Sequence, residues 1–214
     1  MRLDLHCHSV SSDDARATAE QYLKWIQVLR RKHHQVDGIV LTEHRKFDSG
    51  ADYAALAKQY EVMVLKGSEV DTRYGHFLVY GVSEELVRSI AFNDVTMDPL
   101  RLMEEARRTG GIAIPAHPGR VGVGLVDHVA RGAQLNGLAA AERYNGGSRT
   151  GEEERAAHLF AEAGLRGTGG SDAHFPSAIA TCMTEFSGRI HNEMELVEAL
   201  RAGDFKAVRL EGRA

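Results

Sequence analysis

The chain has 214 residues, with 26 Lys and Arg against 30 Asp and Glu, a formal net charge of −4. A mildly acidic chain with no strongly basic segment lacks the electrostatic footprint of a dedicated nucleic-acid binder, and no run reaches the roughly 18–20 apolar residues of a membrane-spanning helix. Two cysteines, Cys7 and Cys182, are too few for a disulfide framework, and the start MRLDLHCH is unlike a signal peptide, so a reducing cytoplasm is the expected setting.

In chain order, Leu3–His8 reads as a short apolar strand. Thr18 and Gln21 form a capping box, and Tyr22, Trp25, Ile26 and Leu29 then repeat at the spacing of one buried helix face. Strands at Asp37–Thr42 and Val62–Gly67 flank a weaker helix carrying Tyr53, Leu56 and Tyr60, and Phe77–Val82 is the next strand. Asp98 and Pro99 supply the N-cap and first position of a helix that Gly110 ends. Strands follow at Ile112–Ala116 and Gly137–Ala141. Thr150–Glu153 repeats the capping-box pattern, with Gly164 as the stop. After the strand Gly167–Gly170, Asn192–Glu195 opens a last helix that Gly203 stops, and Lys206–Leu210 is the final strand. With no linker or repeat, residues 1–214 read as a single domain. Most of these strands are too continuously apolar or small for a half-exposed sheet, and their alternation with helices implies a parallel α/β sheet, either open or closed as a barrel.

The eleven histidines are not scattered evenly. His6 and His8 finish the first strand, His44 follows the second, Glu69 the third, His117 the strand IAIPAH, and Asp172 and His174 follow GTGG. In a parallel α/β fold these ends share one face, where sites are built. His76 reaches the same mouth if Asp71–Gly75 turns tightly, and Asp13 or Asp14 leans over it from the loop after the first strand. His6 and His8, two apart on a strand, point to one side and can grip one ion. Cys7 between them points into the packing. Imidazole and carboxylate without thiolate suit Zn, Mn or Fe. Nine donors exceed what two ions need, so three ions are expected. Three divalent ions would bring about +6 against about −3 from three carboxylates, which suits a phosphate dianion. Arg120 stands three residues past His117, placed to hold such an anion, with Arg143 and Arg16 as weaker candidates. His33, His34, His128, His158 and His191 carry no motif and read as incidental.

Asp4-Leu-His6-Cys-His8-Ser, Ser12-Asp13, Thr42-Glu-His44, Glu69, Ala116-His117-Pro-Gly-Arg120 and Gly170-Ser-Asp172-Ala-His174 together resemble the polymerase-and-histidinol-phosphatase (PHP) family of metal-dependent phosphoesterases. The match runs in order from residue 3 to about residue 188. The resemblance implies an α/β fold, a distorted (β/α)7 TIM-like barrel, with a trinuclear site of Zn, Mn or Fe. It implies that His6, His8, Glu69 and Asp172 hold one metal, that Asp13, His44 and His174 hold a second, and that Glu69 bridges to a third completed by His76 and His117. The nucleophile it implies is a metal-bound hydroxide. The sequence departs from the family pattern in three places. Ser12-Asp13-Asp14 replaces Ser-Asp-Gly and leaves either Asp as the ligand, with Asp13 favoured. Glu43 stands where Asp is usual, placed to orient ligands rather than to bind metal. The span from Glu69 to His76 is short, and no insertion supplies a lid. The expected partner is a small anionic phosphoester such as a sugar, nucleotide or amino-alcohol phosphate, with no membrane and no dedicated nucleic acid. The alternatives are a phosphodiesterase on short oligonucleotides or a cyclic phosphate, and a non-catalytic metal-binding module.

Overall fold

The computed structural model describes residues 1–134, 136–162 and 164–211. Its elements are β1 (Arg2–Cys7), α1 (Ala19–Arg31), β2 (Gly38–His44), α2 (Ala54–Tyr60), β3 (Met63–Thr72), β4 (Gly75–Tyr80), α3 (Glu84–Ser89), α4 (Pro99–Arg108), β5 (Ile112–Pro115), α5 (Leu125–Val129), β6 (Ala140–Asn145), α6 (Glu152–Glu162), β7 (Arg166–Gly170), a 3-10 turn (Pro176–Ala178), β8 (Cys182–Phe186), α7 (Glu193–Ala202) and β9 (Phe205–Arg209). Among the described residues, no helix is long and apolar enough to cross a membrane.

The helix signals act as expected at three of four places. Thr18 and Gln21 exchange both bonds of the capping box, and α1 buries Tyr22, Leu23, Ile26 and Leu29. Asp98 caps α4 ahead of Pro99, and Asn192 accepts from the Glu195 amide to start α7. The Thr150–Glu153 box does not form. Helix α6 begins at Glu152, whose carboxylate takes the Arg149 and Val121 amides, while Glu153 reaches the Asn145 amide. Acidic side chains at this helix start are used to tie down two neighbouring loops.

The sheet corrects the all-parallel expectation. Seven strands run in the order β5-β4-β3-β2-β1-β8-β9, with only β1, β2 and β3 joined in parallel, and the other pairings antiparallel. A separate parallel pair, β6-β7, packs against β1, β5, β8 and β9, so the sheet curls into a half-barrel. Hydrogen bonds of the described strands do not close a ring of seven βα units. Antiparallel β4 arises because the reversal at Arg73-Tyr74 is only two residues long, too short for a crossover.

Strands β1 and β2 are buried at nearly every position, including the polar Asp4, His6, Thr42 and Glu43, as strands covered on both faces are. Tyr22 locks this core to the site. Its Oη lies 2.6 Å from the His8 carbonyl oxygen and 2.7 Å from that of Ala173, joining α1 to the ends of β1 and β7. Tyr22→Phe would leave both carbonyls without that donor, an expected loss of about 1–2 kcal/mol. Urea unfolding of the two proteins, with unchanged m-value, measures it.

Candidate metal centre

The curled sheet brings one end of β1, β2, β3, β5, β6 and β7 together, and the β3–β4 hairpin adds to it. Asp71 pairs directly with His76 across the hairpin, and Glu69 lies two residues before Asp71 on the same face. His76 Nδ1 is 3.0 Å from Glu69 Oε1, and His76 Nε2 is 3.5 Å from Asp71 Oδ1. His117 and Asp172 follow their strands with positive φ, +27° and +52°. Ordinary residues avoid this conformation, and its cost, of the order of 1–3 kcal/mol each, is typical of positions held for function.

Glu69 is the hub. Fully buried, its Oε2 lies 3.1 Å from His6 Nε2, 3.2 Å from His8 Nε2 and 3.1 Å from His44 Nδ1. Its Oε1 lies 2.9 Å from His117 Nε2 and 3.0 Å from His76 Nδ1. Three donor groups result: His6, His8, Glu69 and Asp172; Glu69, His76 and His117; and His8, His44 and His174.

The first group has the size of a metal cage. His6 Nε2 and His8 Nε2 are 3.0 Å apart, each is 3.1–3.2 Å from Glu69 Oε2, and Asp172 Oδ1 is 3.4 and 3.3 Å from them. A tetrahedral ion with ligand bonds of about 2.0–2.1 Å requires ligand separations of about 3.3 Å. Without an ion, the acids hold protons on the imidazoles. Burial would lower His8, but hydrogen bonds to Asp172 and Glu69 push it up to about 9. Burial would likewise raise Glu69, yet His6, His117 and His44 outweigh it and hold it well below the usual carboxylate range. Asp172 is held low in the same way, against burial, by His6 and His8.

The third group corrects the preference for Asp13. Asp14 Oδ2 lies 3.3 Å from His44 Nε2 and 3.2 Å from His174 Nε2, whereas Asp13 turns outward onto Arg45 Nη2 at 3.0 Å. The loop takes this course because Glu43 anchors it, accepting from Ser9 Oγ and Ser12 Oγ at 2.6 Å each. Asp14→Asn should cost the ion held with His44 and His174, whereas Asp13→Asn should retain native metal content. Elemental analysis of the two purified variants gives the answer.

Arg120 lies at the edge of the cage, its Nη2 2.7 Å from Asp172 Oδ2 and 2.9 Å from Asn145 Oδ1. It lines a cleft of about 340 Å³ with Val121, Gly147, Arg149, Glu152, Asp172 and His174. Arg16 is exposed beside the centre, where its amide donates to the His174 carbonyl. Arg143 is not at the site. It lies outside β6, over the rings of Tyr144 and Phe160 at 5.9 and 5.3 Å, which removes it as a substrate contact. His33, His34, His128, His158 and His191 join none of the donor groups. Cys7 packs in the core with its thiol 3.3 Å from the Val40 carbonyl.

Sequence reasoning missed Glu142 and Asn145, both buried against the ligands. The signal was a single acid in the apolar run Ala139-Ala140-Ala141-Glu142, a residue that is rarely buried without a partner.

A family model described as PHP-associated matches residues 151–205. The fold is shared along 99% of the chain with a two-domain protein of Bacteroides vulgatus containing a predicted PHP-like metal-dependent phosphoesterase, at 22% identity and a TM-score of 0.63. The chain is thus similar to PHP-like proteins in fold, and in residues 151–205 to a PHP-associated family model. It spans 65% of that Bacteroides chain, less than two thirds. The fold also matches the lesion-specific endonuclease Q of Pyrococcus furiosus, over 97% of this chain and 58% of that one, at 15% identity and a TM-score of 0.65. An uncharacterized protein of Methanocaldococcus jannaschii is 25% identical over 125 residues, 55% of this chain and 68% of the relative.

Proposed function

We propose that the chain is a metal-dependent phosphoesterase acting on a small soluble phosphomonoester such as a sugar, nucleotide or amino-alcohol phosphate. The observation that carries this reading is the interlocking of three donor groups, two through Glu69 and the third through His8, beside an arginine bonded to Asp172. His6, His8, Glu69 and Asp172 would hold one ion, Glu69, His76 and His117 a second, and Asp14, His44 and His174, with His8 beside them, a third. Two to three ions, Zn, Mn or Fe, would supply Lewis acidity at phosphorus and lower the pKa of water there.

The chain's own residues bind and orient. Arg120 carries a fixed positive charge into the cleft, and its contacts with Asp172 and Asn145 hold the guanidinium plane in place for an anion. Arg149 lines the cleft, and Arg16, exposed next to His174, adds positive charge near it in a molecule that is acidic overall. Glu69, inaccessible to water, keeps the donor groups at fixed separation.

A second reading is phosphodiester hydrolysis, favoured by the fold shared with a lesion-specific endonuclease and by a cleft lined by both Arg120 and Arg149. One experiment separates the two. Metal-reconstituted protein is assayed on p-nitrophenyl phosphate and nucleoside monophosphates, then on bis-p-nitrophenyl phosphate and duplex DNA with an abasic site. Faster turnover of monoesters is expected, and turnover of diesters alone would overturn the leading reading. Hydrolysis that survives His6→Ala or Asp172→Asn would remove the proposed site. Arg120→Ala should raise KM about 10- to 100-fold, the worth of a hydrogen bond to a charged group.

A further inference from the structure

We propose that a β-bulge in β6 makes Glu142 and Asn145 a single positioning device, Glu142 orienting His6 in the metal cage and Asn145 orienting Arg120 toward Asp172. The inference rests on the metal-centre reading and is independent of which ester is cleaved.

In a regular strand, residues three apart point to opposite faces. Glu142 and Asn145 nevertheless share the inner face, at 1% and 3% exposure, and Asn145 Nδ2 donates to Glu142 Oε2 at 2.9 Å. The register explains this. Glu142 pairs with Thr168 and Tyr144 with Gly169, two steps on β6 against one on β7, so Arg143 is the extra residue. Arg143 is turned outward onto Tyr144 and Phe160. The side chain that had suggested a substrate contact is thus the one displaced to bring two others in.

Glu142 Oε1 lies 3.0 Å from His6 Nδ1, and Oε2 accepts from the His117 amide at 2.7 Å. A carboxylate accepts, so the His6 proton toward Glu142 sits on Nδ1, which leaves Nε2, facing His8, Glu69 and Asp172, as the nitrogen that would bind an ion once its own proton has left. The approach needs Gly170, because a Cβ there would collide with the His6 Cβ and stand 2.7 Å from Glu142 Oε1. Asn145 is oriented in turn. Its Nδ2 faces Glu142 and, at 3.4 Å, Asp172 Oδ2, which leaves Oδ1 to accept from Arg120 Nη2 and, at 2.8 Å, from the Gly147 amide. One short strand therefore connects a metal ligand, the amide of a second ligand, and the candidate anion-binding arginine.

The test uses full-length protein with zinc alone and needs no substrate in its first arm. Glu142→Gln should weaken zinc binding about 10- to 100-fold in competition with a chromophoric chelator. In ¹⁵N–¹H spectra of the zinc-loaded variant the His6 Nδ1–H proton should move upfield and exchange faster with water, because a neutral amide oxygen is a weaker acceptor than a carboxylate. A merely structural role would lower the melting temperature without moving that proton. Native zinc affinity with a native His6 spectrum would overturn the proposal. If Glu142→Gln does not fold, Glu142→Asp keeps the charge but withdraws it by one methylene, and the same weakening is expected, with native affinity again overturning the proposal. In the second arm, Asn145→Ala should leave zinc affinity within about threefold and raise KM for p-nitrophenyl phosphate about tenfold with little change in kcat. Unchanged KM in an otherwise active variant overturns the Asn145 half. A protein that hydrolyses no phosphoester contradicts the proposed function while leaving the zinc result interpretable.

Discussion

Glu69→Gln is expected to give a folded protein that has lost more than one equivalent of bound metal and nearly all hydrolytic activity. Five imidazoles lie within 3.2 Å of this carboxylate, and its two oxygens belong to different donor groups. A glutamine amide offers one acceptor and places two N–H donors where the other set needs an anion. If bound ions contribute about 4 kcal/mol to the transition state, the loss is about 10³-fold in kcat/KM. The conservative size of the change keeps the packing, so a circular dichroism spectrum like that of the native protein should accompany it. Native metal content in Glu69→Gln would refute the role of this residue as the shared ligand.

The second large effect concerns metal removal and pH. Ions that bind only the native state at about 1,000 times their Kd stabilise it by about 4 kcal/mol. For a chain of this size, chelation should therefore lower Tm by about 8–16 °C. The gap should widen with pH. In the metal-free protein His8 is raised to about 9, so the stability it contributes is fully present below the unfolded value of about 6.5 and is lost as pH rises through about 9. The same proton must leave before an ion can bind, so metal affinity rises over that window. Scanning calorimetry of loaded and chelated protein from pH 6.5 to 9 measures both trends. A chelated protein whose Tm climbs across that range would contradict the assignment. At the acid end the depressed carboxylates of Glu69 and Asp172 act oppositely, their contribution disappearing as pH falls through their low folded values.

Much of the donor set was legible because metal ligation is written in residue type. His8, His44 and His174 sit next to strand ends where nothing apolar explains them, and the structure brings them into one cluster. What sequence could not resolve was direction. Asp13 and Asp14 are chemically equivalent neighbours, and only the anchoring of the Ser9–Ser12 loop by Glu43 decides which turns inward. Arg143 and Asn145 were misread or missed for a related reason, since a bulge reverses the alternation from which facing is inferred. The fold shows the same division. The buried strands β1 and β2 were found within a residue or two, because segments of 6 and 7 residues are the length of a strand rather than of a buried helix. Strand β8 was not, as Thr184 and Glu185 break the apolar pattern of Cys182–Phe186, and the short helices α3 and α5 have too few turns for periodicity. Mixed strand direction escaped because pairing depends on loop geometry rather than on strand composition.

The bond from the Asp172 amide to the His6 carbonyl and those from Ser171 and Ala180 to Asp4 join segments more than 160 residues apart. During synthesis this has a consequence for timing. The last of His6, His8 and Glu69 is made about 100 residues before Asp172, the aspartate of their donor group, roughly 5–20 s at ordinary translation rates. In that interval a nascent chain displays a cluster of imidazoles with no closed cavity to select among ions. The four-donor group of His6, His8, Glu69 and Asp172 can therefore close only after Asp172 has emerged.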